Sequence, residues 1–208
     1  MRTLAIETAT EACSVGLFDG GSLLAHDHRV LGRGHAEMLV PMIAALPGKG
    51  KADRVLVSLG PGSFTGARIG IAAARALGFA WSAEVLGYPT LALVAAQTQA
   101  QDAGEVTVCM TGGHGEYFVQ DFGAHAEPLS EMASLTPAAA AARGSRSTIA
   151  GSKAAELAEM LDGAVEALAM VPDSASIMLL KPQHFSRDLR PLYGRGPDAT
   201  PQVARAPA

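Results

Sequence analysis

The segment LGPGSFTGARIG, residues 59–70, places four glycines and one proline between an apolar run and a long helical pattern. The preceding residues 54–58 form a continuous apolar stretch, which is typical of a strand buried on both faces of a sheet. The following residues, from about 65 to 83, predict a helix with Ser63 as its N-cap. A glycine loop in this position has two interpretations. It binds an anion at the helix N-terminus, or it lets two backbones come close.

The anion interpretation rests on free backbone N–H groups at the start of the helix and on one charged side chain. The segment has no Gly-Lys-Ser/Thr ending and does not fit the spacing GxGxxG, so neither common phosphate-loop motif is present. The residues that we assign to proximity of an anion or nucleotide are Gly62, Ser63, Thr65 and Arg68, together with Glu7 of the N-terminal hairpin.

The close-contact interpretation rests on small residues that recur every four positions along one face of the predicted helix. A glycine in a helix interior costs about 1 kcal/mol relative to alanine, so a run of them needs a packing reason. The pattern favours close helix contact, either within the chain or with a partner. Replacing Gly70 by leucine should then weaken association and leave the chain folded. The small residues are Gly66, Gly70, Ala74 and Gly78.

The chain reads as two successive α/β halves. Residues 1–104 predict three strands, a helix, a buried strand, the long helix, a further strand and a closing helix. Residues 105–208 repeat the first six of these elements in the same order. Their first helix, at 137–143, is capped by Thr136, and a later helix is capped by Ser152. We therefore expect two domains, 1–104 and 105–208, with a proline-rich tail from Pro191 that is extended or mobile.

Composition excludes several classes of function. The net charge is −4 and no short window is rich in lysine and arginine, so direct nucleic-acid binding has no electrostatic basis, and any RNA should be held by another chain. No stretch is apolar for long enough to span a membrane, and no signal peptide is evident, so we expect a cytoplasmic protein. Cys13 and Cys109 lie far apart without a CxxC motif, which favours two buried thiols.

Polar residues outside the glycine segment give weaker signals. His26 and His28 share one face of a predicted strand, but no third ligand is evident, so a surface pair is favoured over a metal site. Hydroxyls and Glu7 in residues 7–15 favour a polar turn with one carboxylate pointing into a cleft. Residues 110–118, MTGGHGEYF, favour an ordinary glycine hairpin. No HExxH, HxxxH or GxSxG motif occurs, so we predict no catalytic residue and no metal ligand.

Five segments together resemble the bacterial TsaB family, also called YeaZ, of the tRNA threonylcarbamoyladenosine machinery. They are LAIETATEACSVGL at 4–17, HAEMLVPMI at 35–43, GPGSFTGARIGIAAARAL at 60–77, GEYFV at 115–119 and PLYGRGPDA at 191–199. The resemblance implies an α/β fold of two RNase-H-like lobes, of the actin/Hsp70/sugar-kinase type. This agrees with the duplicated order of elements.

The resemblance also implies a function. It implies a non-catalytic scaffold that pairs with the catalytic subunit TsaD and supports threonylcarbamoyl transfer to the adenosine beside the anticodon. A TsaE-like ATPase would be a further partner, tRNA would be contacted only indirectly, and no cofactor would belong to the chain itself, with ATP at most at a shared interface. The partner, TsaD or a second copy of this chain, would bind the small-residue face and the apolar face Leu39, Met42, Ile43 and Leu46.

Two other functions remain open. An ATP-using enzyme of the same fold, such as a small kinase or ATPase, would need an acidic metal ligand at each phosphate hairpin, and the segment MTGGHGE lacks the acid that this requires. A peptidase is weaker still, because no metal set or nucleophile supports it.

Overall fold

The computed structural model describes residues 1–101 and 104–194, and its first half forms one mixed sheet. The strand order is β3-β2-β1-β4-β5. β1 pairs antiparallel with β2 and parallel with β4, and β4 continues parallel to β5. The central strands alternate little and are buried, as expected for strands covered on both faces. The strands are β1 Arg2–Glu7, β2 Ala12–Asp19, β3 Ser22–Val30, β4 Arg54–Ser58 and β5 Glu84–Tyr88.

The second half builds a sheet of the same design. Its strand order is β11-β10-β6-β7-β8, and β9 also pairs with β7. β6 is antiparallel to β7 and parallel to β10, so it takes the central place that β1 holds in the first sheet. The strands are β6 Val106–Thr111, β7 Tyr117–Gly123, β8 Glu127–Pro128, β9 Ala133–Leu135, β10 Thr148–Ala150 and β11 Glu166–Leu168.

In the described part of the chain, five α-helices cover the two sheets. Three hydrophobic clusters define the layers: one joins the first sheet to α1 and α2, one joins the second sheet to α4 and α5, and the largest lies around α3. The largest cluster takes side chains from both sheets and from a 3₁₀ segment, Ser174–Leu179. The helices are α1 His35–Ala45, α2 Phe64–Trp81, α3 Thr90–Gln99, α4 Pro137–Arg143 and α5 Ala154–Ala158.

The predicted α/β class is confirmed, and so is the predicted order of elements in the first half. In the second half two short strands, β8 and β9, precede α4 where one strand was predicted, and β11 follows the last predicted helix. The predicted helix caps agree in two cases out of three. Ser63 caps α2 by accepting the Gly66 N–H at 3.2 Å, and Thr136 caps α4, both as expected. The expected cap at Ser152 is wrong, because α5 begins after Lys153 without a side-chain cap, and the Ser152 hydroxyl instead accepts the Thr111 N–H. The tail predicted from Pro191 is described only to residue 194, and the remainder lies outside the described residues.

The prediction that these two helix faces bind a partner is wrong, because their side chains are buried within the chain. Leu39, Met42, Ile43 and Leu46 of α1 and the turn that follows belong to the core of the first lobe and are at most 5% exposed. The small-residue face of α2 is also buried and faces its own sheet. A Cβ at Gly70 would lie 2.4 Å from Thr8 Oγ1, and one at Gly78 would lie 2.3 Å from Val85. A leucine at Gly70 would therefore disrupt the fold.

Candidate functional site

A cleft of about 720 Å³ lies between the two lobes. The first lobe contributes the β1–β2 turn and the start of α2, and the second lobe contributes the β6–β7 turn. The residues 192–194 close one side. Clefts between domains are the usual place for small ligands, so this is the candidate binding site of the described chain.

The β1–β2 turn occupies the N-terminus of α2. The Ser63 N–H donates to the Ala9 carbonyl at 2.6 Å, and the Thr8 hydroxyl donates to the Gly66 carbonyl at 2.9 Å. A Cβ at Gly62 would lie 1.9 Å from the Ala9 oxygen, and one at Gly66 would lie 2.1 Å from the Thr8 oxygen. The glycines therefore serve the close approach of two backbones, and the Ala9 carbonyl takes a donor that an anion would otherwise use.

Arg68 is the one lysine or arginine that lines the cleft within the described chain, and it is already engaged. Its Nε and Nη2 donate to the Tyr193 hydroxyl at 3.2 and 3.0 Å. Its guanidinium also lies 3.6 Å from the centroid of the Phe64 ring, which stacks on Tyr193 at 5.4 Å. The cation thus fixes residues 191–194 against α2.

The β6–β7 turn forms the opposite wall. Its backbone folds tightly, since a Cβ at Gly112 would lie 2.6 Å from the Glu116 oxygen, and His114 adopts a positive φ of 56°. The Glu116 carboxylate accepts the Ser134 hydroxyl at 2.6 Å. Glu11 and Glu116 line the cleft against the single Arg68, so its described charged side chains favour a cation or a neutral group over a triphosphate.

Glu7 lies inside the protein, although the sequence placed it at the cleft. The side chain is fully buried and does not line the cleft. Its Oε1 accepts the Ala9 N–H at 2.7 Å, and its Oε2 accepts the Tyr88 hydroxyl at 3.4 Å. Burial raises the pKa of this carboxyl from 4.5 to about 7, against the opposing effect of the Ala9, Ser58, Tyr88 and Thr8 hydrogen bonds. Glu7 therefore stabilises the β1–β2 turn from the interior of the protein.

The other predicted site residues differ in whether they line the cleft. Gly62, Ser63 and Arg68 line the cleft, whereas Thr65 is exposed on the first turn of α2 and does not line it. Both cysteines are buried free thiols, as the sequence predicted. His26 and His28 are joined by a third group, Asp173, which sequence reasoning missed because it lies more than 140 residues further along the chain.

None of the helices within residues 1–101 and 104–194 is both long and apolar enough to cross a membrane.

Comparison with known structures gives the fold. The crystal structure of an uncharacterized Pseudomonas aeruginosa protein with similarity to peptidase YEAZ superposes with a TM-score of 0.73 at 27% identity, covering 86% of this chain and 89% of that chain. The ethanolamine utilization protein EutJ from Carboxydothermus hydrogenoformans superposes with a TM-score of 0.52 at 11% identity, which shows the fold alone. The two-lobed architecture with its central cleft is that of the actin/sugar-kinase/Hsp70 class of proteins.

Sequence comparison then gives the family. The family model described as TsaD, tRNA N6-adenosine threonylcarbamoyltransferase, matches residues 29–173. The Escherichia coli protein named tRNA threonylcarbamoyladenosine biosynthesis protein TsaB is 40% identical over 100 residues, which are 46% of this chain and 43% of that protein. The chain thus matches less than half the length of this curated relative. It belongs to the TsaD family, within which its relatives are the TsaB (YeaZ) proteins.

Proposed function

We propose that this chain is a non-catalytic subunit in the biosynthesis of tRNA threonylcarbamoyladenosine. In this role it would bind a TsaD-like catalytic subunit and support threonylcarbamoyl transfer to the adenosine beside the anticodon. Membership of the TsaD family and the names of the TsaB relatives support the pathway. The absence of a catalytic contribution is supported by one observation above all: the Ala9 carbonyl sits at the N-terminus of α2, where the cleft would need a free donor for phosphate.

The charges in the cleft support the same assignment. A nucleotide triphosphate needs cations or a bound metal to balance its charge. The cleft offers Arg68, which Tyr193 engages, and it also carries Glu11 and Glu116. We accordingly propose that the chain has no nucleotide cofactor of its own, and that any ATP in the assembly lies at an interface shared with another subunit.

The partner surface that we propose is the outer face of α1 and α2, with different residues from those that the sequence indicated. Val40 on α1 is 61% exposed and Phe79 on α2 is 92% exposed. Small residues around them on the same helices are exposed as well, so two helices of a partner could approach closely. An aromatic ring that is almost fully exposed is a typical anchor of a protein interface. The exposed small residues are Ala36, Ala44 and Ala45 on α1, and Ala72, Ala76 and Ala80 on α2.

Reconstitution tests the function directly. We expect formation of the modified nucleoside on tRNA, from purified TsaD-like and TsaE-like subunits and their substrates, to collapse when this chain is omitted. The chain alone should neither hydrolyse ATP nor modify tRNA. Turnover of ATP by the isolated chain would instead support the second candidate, an ATP-using enzyme of this fold, which the size of the cleft favours. A yield that does not depend on the chain would contradict the scaffold function.

A point substitution tests the surface. Phe79→Ser should weaken binding of the TsaD-like subunit at least about tenfold, because an interface aromatic commonly contributes more than about 1.4 kcal/mol. The fold should be unchanged, since the ring is 92% exposed. Met160→Ser, which alters an exposed apolar residue of the second lobe, is the matched control. Equal affinity of Phe79→Ser and the control would rule out this face. Loss of self-association in place of TsaD binding would identify a second copy of the chain as the occupant.

A further inference from the structure

Three side chains from distant parts of the sequence meet at the edge of the first sheet. His26 and His28 are two residues apart on the edge strand β3, so their side chains share one face. Asp173 stands at the start of the 3₁₀ segment Ser174–Leu179, which packs across β1, β2 and β3. None of the three lines the cleft between the lobes.

The distances between these groups are close to those of a metal site. One ligand atom from each residue lies within 4.8 Å of the other two. His28 Nδ1 is 3.6 Å from Asp173 Oδ2, and His26 Nε2 is 2.6 Å from Asp173 Oδ1. Ligands of a tetrahedral zinc ion with bonds of about 2.0–2.1 Å are separated by roughly 3.3 Å. The pair with His28 already matches that spacing, and the pair with His26 has to open by less than about 1 Å.

The chemistry of the three groups also suits a metal. His28 Nδ1 is buried and has no hydrogen-bond partner within residues 1–101 and 104–194, which is costly for a polar atom unless a ligand engages it. Two imidazoles and one carboxylate are a ligand set for divalent first-row transition metals. The three side chains are 22–28% exposed, so an ion could enter from solvent.

A second layer of hydrogen bonds holds the carboxylate in place. Asp173 Oδ1 accepts the Ser14 hydroxyl at 3.1 Å and the Ala175 N–H at 2.9 Å. The Ser14 oxygen in turn accepts the Ser174 N–H at 3.1 Å. No hydrogen bond from a described residue engages Oδ2, which faces His28. Partners of this kind orient the ligands of established metal sites.

We propose that His26, His28 and Asp173 form a binding site for a divalent first-row transition metal, with Zn²⁺ as the reference ion. The bound ion would join strand β3 of the first lobe to the segment that returns from the second lobe. Three protein ligands leave a fourth position for water. The ion would therefore stabilise the packing of this segment on the first sheet, independently of any event in the cleft.

Calorimetry of the untagged, metal-stripped chain tests the proposal. With ZnCl₂ at about pH 7.5, we expect one ion per chain and a rise in the midpoint of thermal unfolding. His28→Ala should lower the affinity at least about tenfold and abolish the rise. This variant removes a nitrogen that makes no hydrogen bond to any described residue, so its own fold should be intact. His125→Asn is the control, because His125 is exposed in the second lobe and asparagine tolerates its positive φ of 59°.

Three results would overturn the proposal. The first is a chain that takes up no stoichiometric Zn²⁺. The second is a His26→Ala/His28→Ala double variant that binds Zn²⁺ as tightly as the unaltered chain, and this would place the ion elsewhere. The third is loss of Zn²⁺ binding in the His125→Asn control alone. In the first case the three residues form an ion pair only. Absorption bands of the Co²⁺-substituted chain that change in His28→Ala would add direct support for ligation.

Discussion

The buried carboxyl of Glu7 predicts a stability that depends on pH. In the folded chain the pKa of this group is about 7, because the side chain is completely removed from water. In the unfolded chain it returns to its ordinary value of 4.5. Between these two values the folded chain keeps a proton that the unfolded chain releases. The free energy of unfolding therefore falls as the pH rises from 4.5 to about 7, and the loss is complete above that range.

The size of the effect follows from the same two values. A difference of one pKa unit corresponds to about 1.4 kcal/mol, so the change from 4.5 to about 7 amounts to about 3 kcal/mol. Domains are usually stable by only about 5–15 kcal/mol, so this loss is a substantial part of the total. Glu7→Gln cannot ionise, and its amide oxygen can still accept the Ala9 N–H that Glu7 Oε1 accepts at 2.7 Å.

The assay is equilibrium unfolding in urea, followed by fluorescence of Trp81, the single tryptophan, and by circular dichroism. At about pH 5 the two chains should agree within about 1 kcal/mol, and at about pH 8 Glu7→Gln should be more stable by up to about 3 kcal/mol. The two chains differ only at position 7, so the difference between them isolates Glu7. A difference that stays constant from pH 5 to pH 8 would refute the reasoning, because Glu7 would then ionise in the folded chain as readily as in the unfolded one.

Two further substitution and labelling experiments probe packing. Gly70→Ala should destabilise the chain by about 1–3 kcal/mol in urea unfolding, because the added Cβ would lie 2.4 Å from Thr8 Oγ1, whereas alanine at an open helix position is favourable. Gly113→Ala, with open space around its Cβ, should have little effect, and equal stability of the two variants would contradict the helix-to-sheet packing. Burial raises the pKa of Cys13 to about 11 and that of Cys109 to about 12, so neither thiol should react with a disulfide reagent at about pH 8 until the chain is unfolded. Rapid labelling of the native chain would show that one of them is accessible.

The order of elements could be predicted from the sequence because its signals are local. Ser63 and Thr136 precede helical patterns at the capping position, and the apolar residues of α1 show its buried face by their spacing alone. Local signals fail where two backbone groups compete for the same side chain. Serine is a residue type that commonly caps helices, but the Ser152 hydroxyl accepts the Thr111 N–H at the end of β6.

The candidate sites were harder to predict because they depend on contacts between distant segments. Glu7 lies among hydroxyl-bearing residues and resembles an exposed polar turn, yet those hydroxyls satisfy buried backbone groups, as Thr8 does for the Gly66 carbonyl. The third member of the histidine cluster, Asp173, is supplied by a segment that returns from the second lobe. No local pattern around β3 carries that information.

The glycine periodicity of α2 shows what a spacing pattern determines and what it leaves open. A small residue every four positions establishes that something approaches one face of the helix closely, and the distances at Gly66, Gly70 and Gly78 confirm it. The pattern does not say whether that neighbour is a partner or the chain's own sheet. Because β1, β4 and β5 occupy this face, any partner of α2 has to use the opposite face, where Phe79 stands almost fully exposed. The small residues therefore contribute to association indirectly, by setting α2 deep on the sheet and fixing the direction in which Phe79 points.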